Sequence, residues 1–243
     1  PRLGAMAAVA ESARNVACAG ARPVAITNCL NFGNPYKPKI YYTFAESIAG
    51  MGEACRILGT PVTGGNVSFY NEDPERAVFP TPTIGMLGII NDLNHITTQF
   101  FKDSGDWIYL IGRNKEELGA SEYLHTVFGE TIGPVPALDL KFEKNLQDTL
   151  LKAIREGIIK SAHDCADGGL AVALAEGCIS DKENMMGATI RLEEKTRPDC
   201  LLFGETQSRI VVTVHKDKAS RLTEIIMKAG LPIKLIGEVG GDR

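Results

Sequence analysis

The sequence of 243 residues lacks the features of several large classes of protein. It has no basic excess, since 26 Lys and Arg stand against 30 Asp and Glu, so its net charge of −4 does not favour a nucleic-acid partner. No apolar run approaches the length of a membrane span, and no signal peptide opens the chain. We therefore expect a globular protein that binds neither nucleic acid nor membrane.

Paired cysteines are also missing. The six cysteines form no Cys-x-x-Cys pair, and a chain of this length does not depend on disulfides. Most of them stand among apolar or small residues, as in "NVACAGA", which predicts buried thiols in a reducing compartment, the cytoplasm. Their spacing gives little support to a zinc site, and no Ser/His/Asp or Cys/His arrangement indicates a nucleophilic enzyme.

Hydrophobic periodicity and turn residues predict helices and strands in the first part of the chain. Thr43 with Glu46 three residues later has the pattern of a capping box at a helix start. The predicted elements are a helix ended by Gly20, a strand from Pro23 to about Thr27, a polar loop up to Pro35, a helix from Thr43 to Gly59 and a strand from Thr81 to Asp92.

A boundary is predicted near residues 91–103, after which the pattern of strands and helices starts again with "GDWIYLIG". The strands that follow alternate with amphipathic helices such as "DLKFEKNLQDTLLKAIREGII". The fold class is therefore α/β or α+β, with helices covering a sheet. We expect two domains, residues 1–95 and 96–243.

The stretch "VTGGNVSF" is the first candidate for chemistry. Adjacent glycines allow backbone N–H groups to approach an anion, Asn66 offers a neutral oxygen to Mg²⁺, and Ser68 offers a hydroxyl. No Lys follows the glycines, so this is not a P-loop. The alternative is a strand with a glycine bulge and a polar turn, which spacing alone favours.

A second candidate is "AITNCLNFGNP", in which a predicted strand runs into a loop with Asn28, Asn31 and Asn34. Ligand loops often follow strands in α/β folds. The alternative is an ordinary turn, because Asn tolerates left-handed backbone geometry.

The third and fourth candidates lie in the second half of the chain. In "SAHDCADGGLAVALAEGC", His163 and Asp164 end a predicted strand and Asp167 is the predicted N-cap of a helix, whose N-terminus could hold a metal-bound phosphate. In "LLFGETQSRIVV", Glu205 and Gln207 would share one face at the strand period of two. A structural histidine and a solvated strand start remain the alternatives.

The four stretches, in this order, resemble one family: the synthetase subunit of phosphoribosylformylglycinamidine synthase. Each motif is weak alone, but the ordered set covers nearly the whole sequence. The resemblance implies the second of two tandem AIR-synthase-like units, with a truncated N-terminal ATP-site domain, missing its first strands, and a C-terminal α/β domain. It also implies that this chain is a fragment of a longer protein. A related ATP enzyme such as aminoimidazole ribonucleotide synthetase is the alternative, against which "NCLNFGNP" argues.

The family reaction implies specific ligands and partners. ATP with Mg²⁺ activates the amide of formylglycinamide ribonucleotide, and ammonia from a glutaminase subunit or domain then forms the amidine. The first half of the synthetase chain would complete the active site and supply the catalytic histidines, so no catalytic residue is expected here. By the same resemblance, residues 1–95 are expected to pair with a second copy into a homodimer.

Site roles follow residue by residue from the resemblance. Gly65 matches an ATP contact, Asn66 a magnesium ligand and Ser68 a substrate contact. Asn28 stands where the family usually has an aspartate that contacts ATP, which puts its role in doubt. His163, Asp164, Glu205 and Gln207 match the second-copy counterparts of magnesium and substrate residues of the first copy. The resemblance implies that they are either relics or an auxiliary nucleotide site, in which Asp164 would be a metal ligand and ADP would be held without turnover.

Overall fold

The computed structural model describes residues 1–241, in which helices and strands alternate along the chain. The helices are α1 Arg2–Cys18, α2 Pro38–Leu58, α3 Glu122–Phe128, α4 Leu140–Arg155, α5 Gly169–Ile179, α6 Pro198–Phe203 and α7 Ala219–Lys228. The strands are β1 Arg22–Asn31, β2 Val62–Ser68, β3 Thr81–Ile89, β4 Trp107–Ile111, β5 Ile159–Asp164, β6 Ala188–Ile190, β7 Ile210–Val214 and β8 Ile233–Val239.

The elements from α1 to β3 form what we call the N-terminal unit. Its sheet has the order β2-β1-β3, with β1 parallel to β2 and antiparallel to β3. The helices α1 and α2 pack on one face, where Val9 and Met51 meet Ile26 and Leu30 of the central strand. Along β3 the exposed and half-buried residues alternate, and Leu87 on the outer face is 61% exposed. Within the described residues, this sheet is therefore covered on one face.

The elements from β4 to β8 form the C-terminal unit. Its five strands have the order β5-β7-β4-β8-β6, and all neighbours are antiparallel. The helices α4 and α7 bury Leu150 and Ile226 against one face, and α5 buries Leu170 against the other. The structure thus confirms helices covering a sheet, and the antiparallel pairing makes this unit α+β. The domain bounds 1–95 and 96–243 stay a prediction.

The two units share buried residues. Ala17 and Cys18, at the end of α1, belong to the core of the C-terminal unit. Leu140, the first residue of α4, belongs to the core of the N-terminal unit. We call this contact of α1 with α4 and β5 the seam.

The predicted boundary between strand and loop after Thr27 was wrong. β1 continues to Asn31, so Asn28 and Asn31 lie in the central strand of the sheet rather than in a loop. Both edges of this segment are paired, with β2 on one side and β3 on the other. The paired backbone outweighs the local preference of asparagine for turns.

The predicted start of the second helix was also wrong. The helix α2 begins at Pro38, five residues before Thr43. Proline suits the first turn of a helix because its missing N–H has no partner there in any case. The Thr43 hydroxyl instead donates to the carbonyl of Ile40 at 2.8 Å, as it does inside a helix. Gly59, with φ +76°, ends the helix as predicted.

Two further boundaries differ from the prediction. The strand β3 ends at Ile89, and Asp92 caps a short 3-10 turn by accepting from the N–H of Asn94. Asp167 is not an N-cap, because α5 starts at Gly169 and Gly168 occupies the cap position. The turn before α5 is thus made by glycine backbone, with φ +74° at Gly168.

All six cysteines are free thiols. The prediction of buried thiols is confirmed for Cys18, Cys55, Cys165 and Cys200, while Cys29 and Cys178 are half-buried. No helix among residues 1–241 is long and apolar enough to cross a membrane.

Candidate functional site

The first candidate cluster lies where β1 and β2 run side by side. In the register of the two strands Asn28 stands opposite Gly65, and Cys29 stands opposite Asn66. Gly65 has φ +145°, and a Cβ there would lie 2.1 Å from the carbonyl oxygen of Asn28 and 2.4 Å from its Oδ1. Only glycine allows this close approach of the two strands. The structure therefore brings together two residues that the sequence assigned to separate motifs.

The side chains of Asn66 and Ser68 differ in whether they have hydrogen-bond partners. Asn66 is exposed, and within the described chain its side chain has no hydrogen-bond partner. The Ser68 hydroxyl is engaged, because it donates to Asn71 Oδ1 at 3.2 Å while Asn71 Nδ2 donates to the Ser68 carbonyl at 2.9 Å. Asn66 thus offers an available amide oxygen, and Asn71 fixes the rotamer of Ser68.

The loop after β2 carries residues that sequence reasoning missed. Asn71 also donates to the carbonyl of Phe32 at 3.1 Å, which ties the loop to the end of β1. Glu72 accepts from the backbone N–H of Asn34 at 3.0 Å and from Lys37 Nζ at 2.9 Å. Tyr70, which directly precedes Asn71, has φ +61°, a rare conformation for a large side chain and one often found at functional sites. The signal in the sequence was the polar run "YNED".

Chemically, the first cluster is neutral and open. Residues 62–67 of β2 are all exposed, and the candidate ligands are amide and hydroxyl oxygens and backbone groups. Mg²⁺ is usually held by few protein ligands together with substrate phosphates and water. The set around Asn66 fits a Mg²⁺ ion that arrives with a nucleotide, and does not fit a cage made by protein alone.

The second candidate cluster begins at the end of β5. Asp164 is 2% exposed, and its Oδ2 lies 3.6 Å from Nε of Arg14. His163 Nε2 lies 2.6 Å from Glu176 Oε2 on α5, and its Nδ1 lies 3.6 Å from Asp164 Oδ1. Burial lowers the pKa of His163, but the carboxylates of Asp164 and Glu176 outweigh burial and raise it above its usual value. The histidine is therefore held by acids on both sides.

The turn before β7 separates the two residues that we expected on one face. Residues 204–209 lie outside the strand, so the period of two does not apply to them. Glu205 Oε1 accepts from the backbone N–H groups of Gly168 at 3.0 Å and Glu122 at 2.8 Å. Gln207 Oε1 instead accepts from Arg14 at 3.5 Å. The shared-face prediction was wrong, because Glu205 and Gln207 precede β7, which begins at Ile210.

Glu205 already supplies the negative charge at the N-terminus of α5. A carboxylate in this position accepts N–H groups that would otherwise bind an anion. Burial raises the pKa of Glu205, and the neighbouring acids Asp167 and Glu122 add to that rise, although the two N–H bonds oppose it. A bare phosphate would meet these acids, so this helix end does not form a simple phosphate site.

Arg14 is the principal residue that the sequence reading missed. It is fully buried on α1, and its Nη1 donates to Glu143 Oε2 at 2.8 Å across the seam. A signal was present: Arg14 follows Ala10 by four residues and precedes Ala17 by three, which places it on the buried stripe of the helix. A charged residue on such a stripe indicates a buried partner.

The described residues offer few groups of side chains that could bind a metal ion. Among residues 1–241 no group of three or more His, Cys, Asp or Glu side chains could hold a metal ion. The two predicted metal ligands, Asn66 and Asp164, lie in separate units. Asp164 Oδ2 is a buried oxygen that faces the Arg14 guanidinium at 3.6 Å, just beyond hydrogen-bond distance.

The sequences of the two units match a known class of protein. Residues 1–90 match the N-terminal domain of AIR synthase related proteins, and residues 103–243 match the C-terminal domain. The chain belongs to the AIR synthase related family. This confirms the family architecture expected from the four ordered motifs.

Individual relatives narrow the comparison. The phosphoribosylformylglycinamidine synthase subunit PurL of Symbiobacterium thermophilum is 53% identical over 243 residues, all of this chain and 31% of that protein. PurL of Anaeromyxobacter sp. (strain Fw109-5) is 50% identical over 249 aligned residues, all of this chain and 32% of that protein. The chain therefore spans about a third of the length of these relatives.

A solved structure supports the fold. The structure of T. maritima PurL complexed with FGAR aligns with 100% of this chain at a TM-score of 0.79 and 24% identity. The aligned part is 40% of that chain. At this level of identity the match bears on the architecture of the two units.

Proposed function

We propose that this chain is the second AIR-synthase-like unit of a phosphoribosylformylglycinamidine synthase and contributes one wall of its Mg-ATP site. The observation that carries the proposal is the identity of about half of all residues to proteins of that name, over the whole chain. The position of Gly65 and Asn66 on β2 supports it, because β2 is an edge strand of the described sheet and its outer edge is open to a ligand.

The proposed reaction requires positioning rather than a protein nucleophile. The γ-phosphate of ATP passes to the formamide oxygen of formylglycinamide ribonucleotide, and ammonia then displaces phosphate to give the amidine. Mg²⁺, when bound, neutralises charge on the triphosphate. In this chain Gly65 would present its backbone to the nucleotide, Asn66 would offer its amide oxygen to the ion, and Ser68 would contact the substrate.

The proposal also assigns roles to parts of the enzyme outside this chain. The first half of the synthetase chain would supply the catalytic groups, and a glutaminase subunit or domain would supply ammonia. A cytoplasmic location is also part of it. Within the described part of this chain the side chain of Asn66 is free for a ligand, whereas the side chain of Asn71 is engaged with Phe32 and Ser68.

The test is Asn66→Ala in the full-length protein. We expect a loss of turnover and a need for higher Mg²⁺ concentration, measured by amidine formation at graded Mg²⁺. Asn91→Ala is the matched control, because Asn91 is an exposed asparagine beyond the end of β3. Unchanged turnover and unchanged Mg²⁺ dependence in Asn66→Ala would contradict the proposal.

A second candidate function is a nucleotide-binding support that does not turn its ligand over. Its basis is the buried carboxylate of Asp164, which lies beside His163 and 3.6 Å from Arg14 in a cluster without a nucleophile. Here Asp164 would hold Mg²⁺, and His163, Glu205 and Gln207 would border the ADP. Calorimetric titration with Mg-ADP should show binding that survives Asn66→Ala and is lost in Asp164→Ala. Equal binding by the wild type and Asp164→Ala would exclude this function.

Two alternatives concern the whole assembly. An enzyme of the aminoimidazole ribonucleotide synthetase type would act on a different ribonucleotide, and a parallel assay of both substrates distinguishes the two.

Self-association through residues 1–95 would cover the outer face of the three-stranded sheet, where Val62 and Leu87 are exposed. Sedimentation at high concentration tests this, and a strictly monomeric species would count against it.

A further inference from the structure

We infer that Arg14 is a positioning residue which holds Asp164 and Gln207 in place, so that the second nucleotide site is built across both units. Arg14 lies on α1 of the N-terminal unit, and its two contacts at this site belong to β5 and the turn before β7. The inference rests on the nucleotide role proposed above for Asp164 and Gln207.

The guanidinium of Arg14 is fixed on one side. Its Nη1 donates to Glu143 Oε2 at 2.8 Å, and both side chains are fully buried. The same oxygen accepts from the hydroxyl of Ser208, and the other oxygen of Glu143 accepts from Gln147 at 2.8 Å. Gln147 in turn donates to the carbonyl of Ala10 at 3.3 Å, which returns to α1. Glu143 is thus fully engaged and cannot rotate away from Arg14.

The other side of the guanidinium is directed at the candidate site. Nη2 reaches Gln207 Oε1 at 3.5 Å, and Nε lies 3.6 Å from Asp164 Oδ2. Both of the last two atoms are buried, and within residues 1–241 they form an ion pair with each other just beyond hydrogen-bond distance. Buried polar atoms of native proteins are almost always satisfied. The ion pair between Arg14 and Asp164 therefore joins the two units at the candidate site.

The charges of the group point to a cation rather than an anion. One guanidinium, that of Arg14, faces the two buried carboxylates of Glu143 and Asp164, so acidic side chains outnumber the arginine in this group. A carboxylate oxygen in such a group is a suitable ligand for a magnesium ion carried by a nucleotide. Arg14 keeps the second oxygen-bearing group, the amide of Gln207, close to the same place.

If Arg14 served only to stabilise the fold, a guanidinium would not be needed at this position. A buried ion pair is weak evidence for stability, since apolar residues of similar volume often pack at least as well. What an apolar residue or a lysine cannot do is direct three N–H groups toward three different side chains. This difference allows the positioning role to be separated from packing.

The experiment compares three variants of the full-length protein by calorimetric titration with Mg-ADP. Asp164→Ala defines the heat that belongs to the second site. Arg14→Lys keeps the positive charge but loses the planar guanidinium with its several N–H donors. We expect at least a tenfold loss of Mg-ADP affinity at that site. Arg2→Lys is the matched control, because Arg2 lies on the same helix and pairs with Glu53 on the surface, and it should bind like the wild type.

The double variant Arg14→Met, Glu143→Met covers the case in which a single change fails to fold. It removes Arg14 and Glu143 together and leaves Asp164 beside His163, and we expect a folded protein, shown by an intact thermal transition, that binds as poorly as Asp164→Ala. Wild-type binding by this double variant or by Arg14→Lys would overturn the inference. If wild type and Asp164→Ala bind alike, the nucleotide role itself fails, and the inference fails with it. The two failures are distinguished by the Asp164→Ala comparison.

Discussion

The Cα of Gly65 lies so close to Asn28 that a methyl group added to it would come within 2.1 Å of the Asn28 carbonyl oxygen. Two neighbouring strands thus meet at a point where one of them must carry glycine. Gly64, the preceding residue, has no such constraint, because a Cβ there would meet only Thr27 Oγ1 at 3.9 Å. The pair of glycines therefore combines one that is required and one that can be replaced.

Gly65→Ala should lower the free energy of unfolding by about 1–3 kcal/mol, because φ +145° and the approach to Asn28 both exclude a side chain. Gly64→Ala should change it by less than about 0.5 kcal/mol, as expected for an exposed substitution. Urea unfolding of the two variants measures the difference. Equal stabilities would show that the strands separate without cost at this point.

Two glycines on α2 should respond to alanine substitution with opposite changes in stability. A Cβ on Gly50 would lie 2.2 Å from the backbone oxygen of Arg2 on α1, whereas on Gly52 it would meet only the end of the Arg56 side chain at 3.3 Å. Gly50→Ala should destabilise the protein by about 1–3 kcal/mol through overpacking. Gly52→Ala should stabilise it by roughly 0.5–1 kcal/mol through helix propensity. Thermal unfolding of both variants tests the sign, and a stabilising Gly50→Ala would contradict the close contact of α1 with α2.

The pKa of Glu205 predicts a pH dependence. Burial raises this pKa above the ordinary 4.5, so the folded state binds the proton more tightly than the unfolded state does. The contribution of Glu205 to stability is therefore present at low pH and is lost as the pH rises through the raised pKa. Glu205→Gln keeps an acceptor oxygen for Gly168 and Glu122 but cannot ionise.

We expect wild type to lose stability relative to Glu205→Gln as the pH rises from about 4 to about 7. Denaturant unfolding across this range measures the difference, with Glu130→Gln as an exposed control. Parallel pH profiles for wild type and Glu205→Gln would show that ionisation at Glu205 is not coupled to folding.

The cysteines should divide into two groups in thiol labelling. Cys165 is 0% exposed, and burial raises its pKa to about 11, so it has very little reactive thiolate near neutral pH. Cys29 and Cys178 are half-buried and should react first. Mass spectrometry of the native protein should therefore show two fast labels, and the remaining four should appear after unfolding. Labelling of Cys165 at the rate of Cys29 would mean that the C-terminal unit opens readily.

The elements of the fold were largely readable from the sequence, because their signals are local. Buried strands such as β4 and β7 are short apolar runs, and α4 repeats its apolar residues at helical spacing. Errors arose where two local signals competed. At Thr43 a capping pattern lay inside a helix that Pro38 had already started, and at Asn28 a turn-forming residue was held in a strand paired on both sides.

The candidate site was readable only in part. The four motifs were found, but their contacts depend on residues far apart in the chain. Arg14 meets Glu143 across 129 positions, and Glu205 reaches Gly168 across 37. Local propensity contains no information on such pairs. The buried arginine was visible as an exception on an apolar stripe, whereas its partners required the fold.

The shared helix α1 has a consequence for the exchange of parts between relatives. A hybrid that joins residues 1–90 of one protein to residues 103–243 of another takes Arg14 from one parent, and Glu143 and Asp164 from the other. If the parents differ at these positions, the hybrid buries a charge without its counterpart, a cost of several kcal/mol. The piece that can be exchanged intact is therefore the pair of units, and recombination between them is restricted to parents with matching charges at the seam.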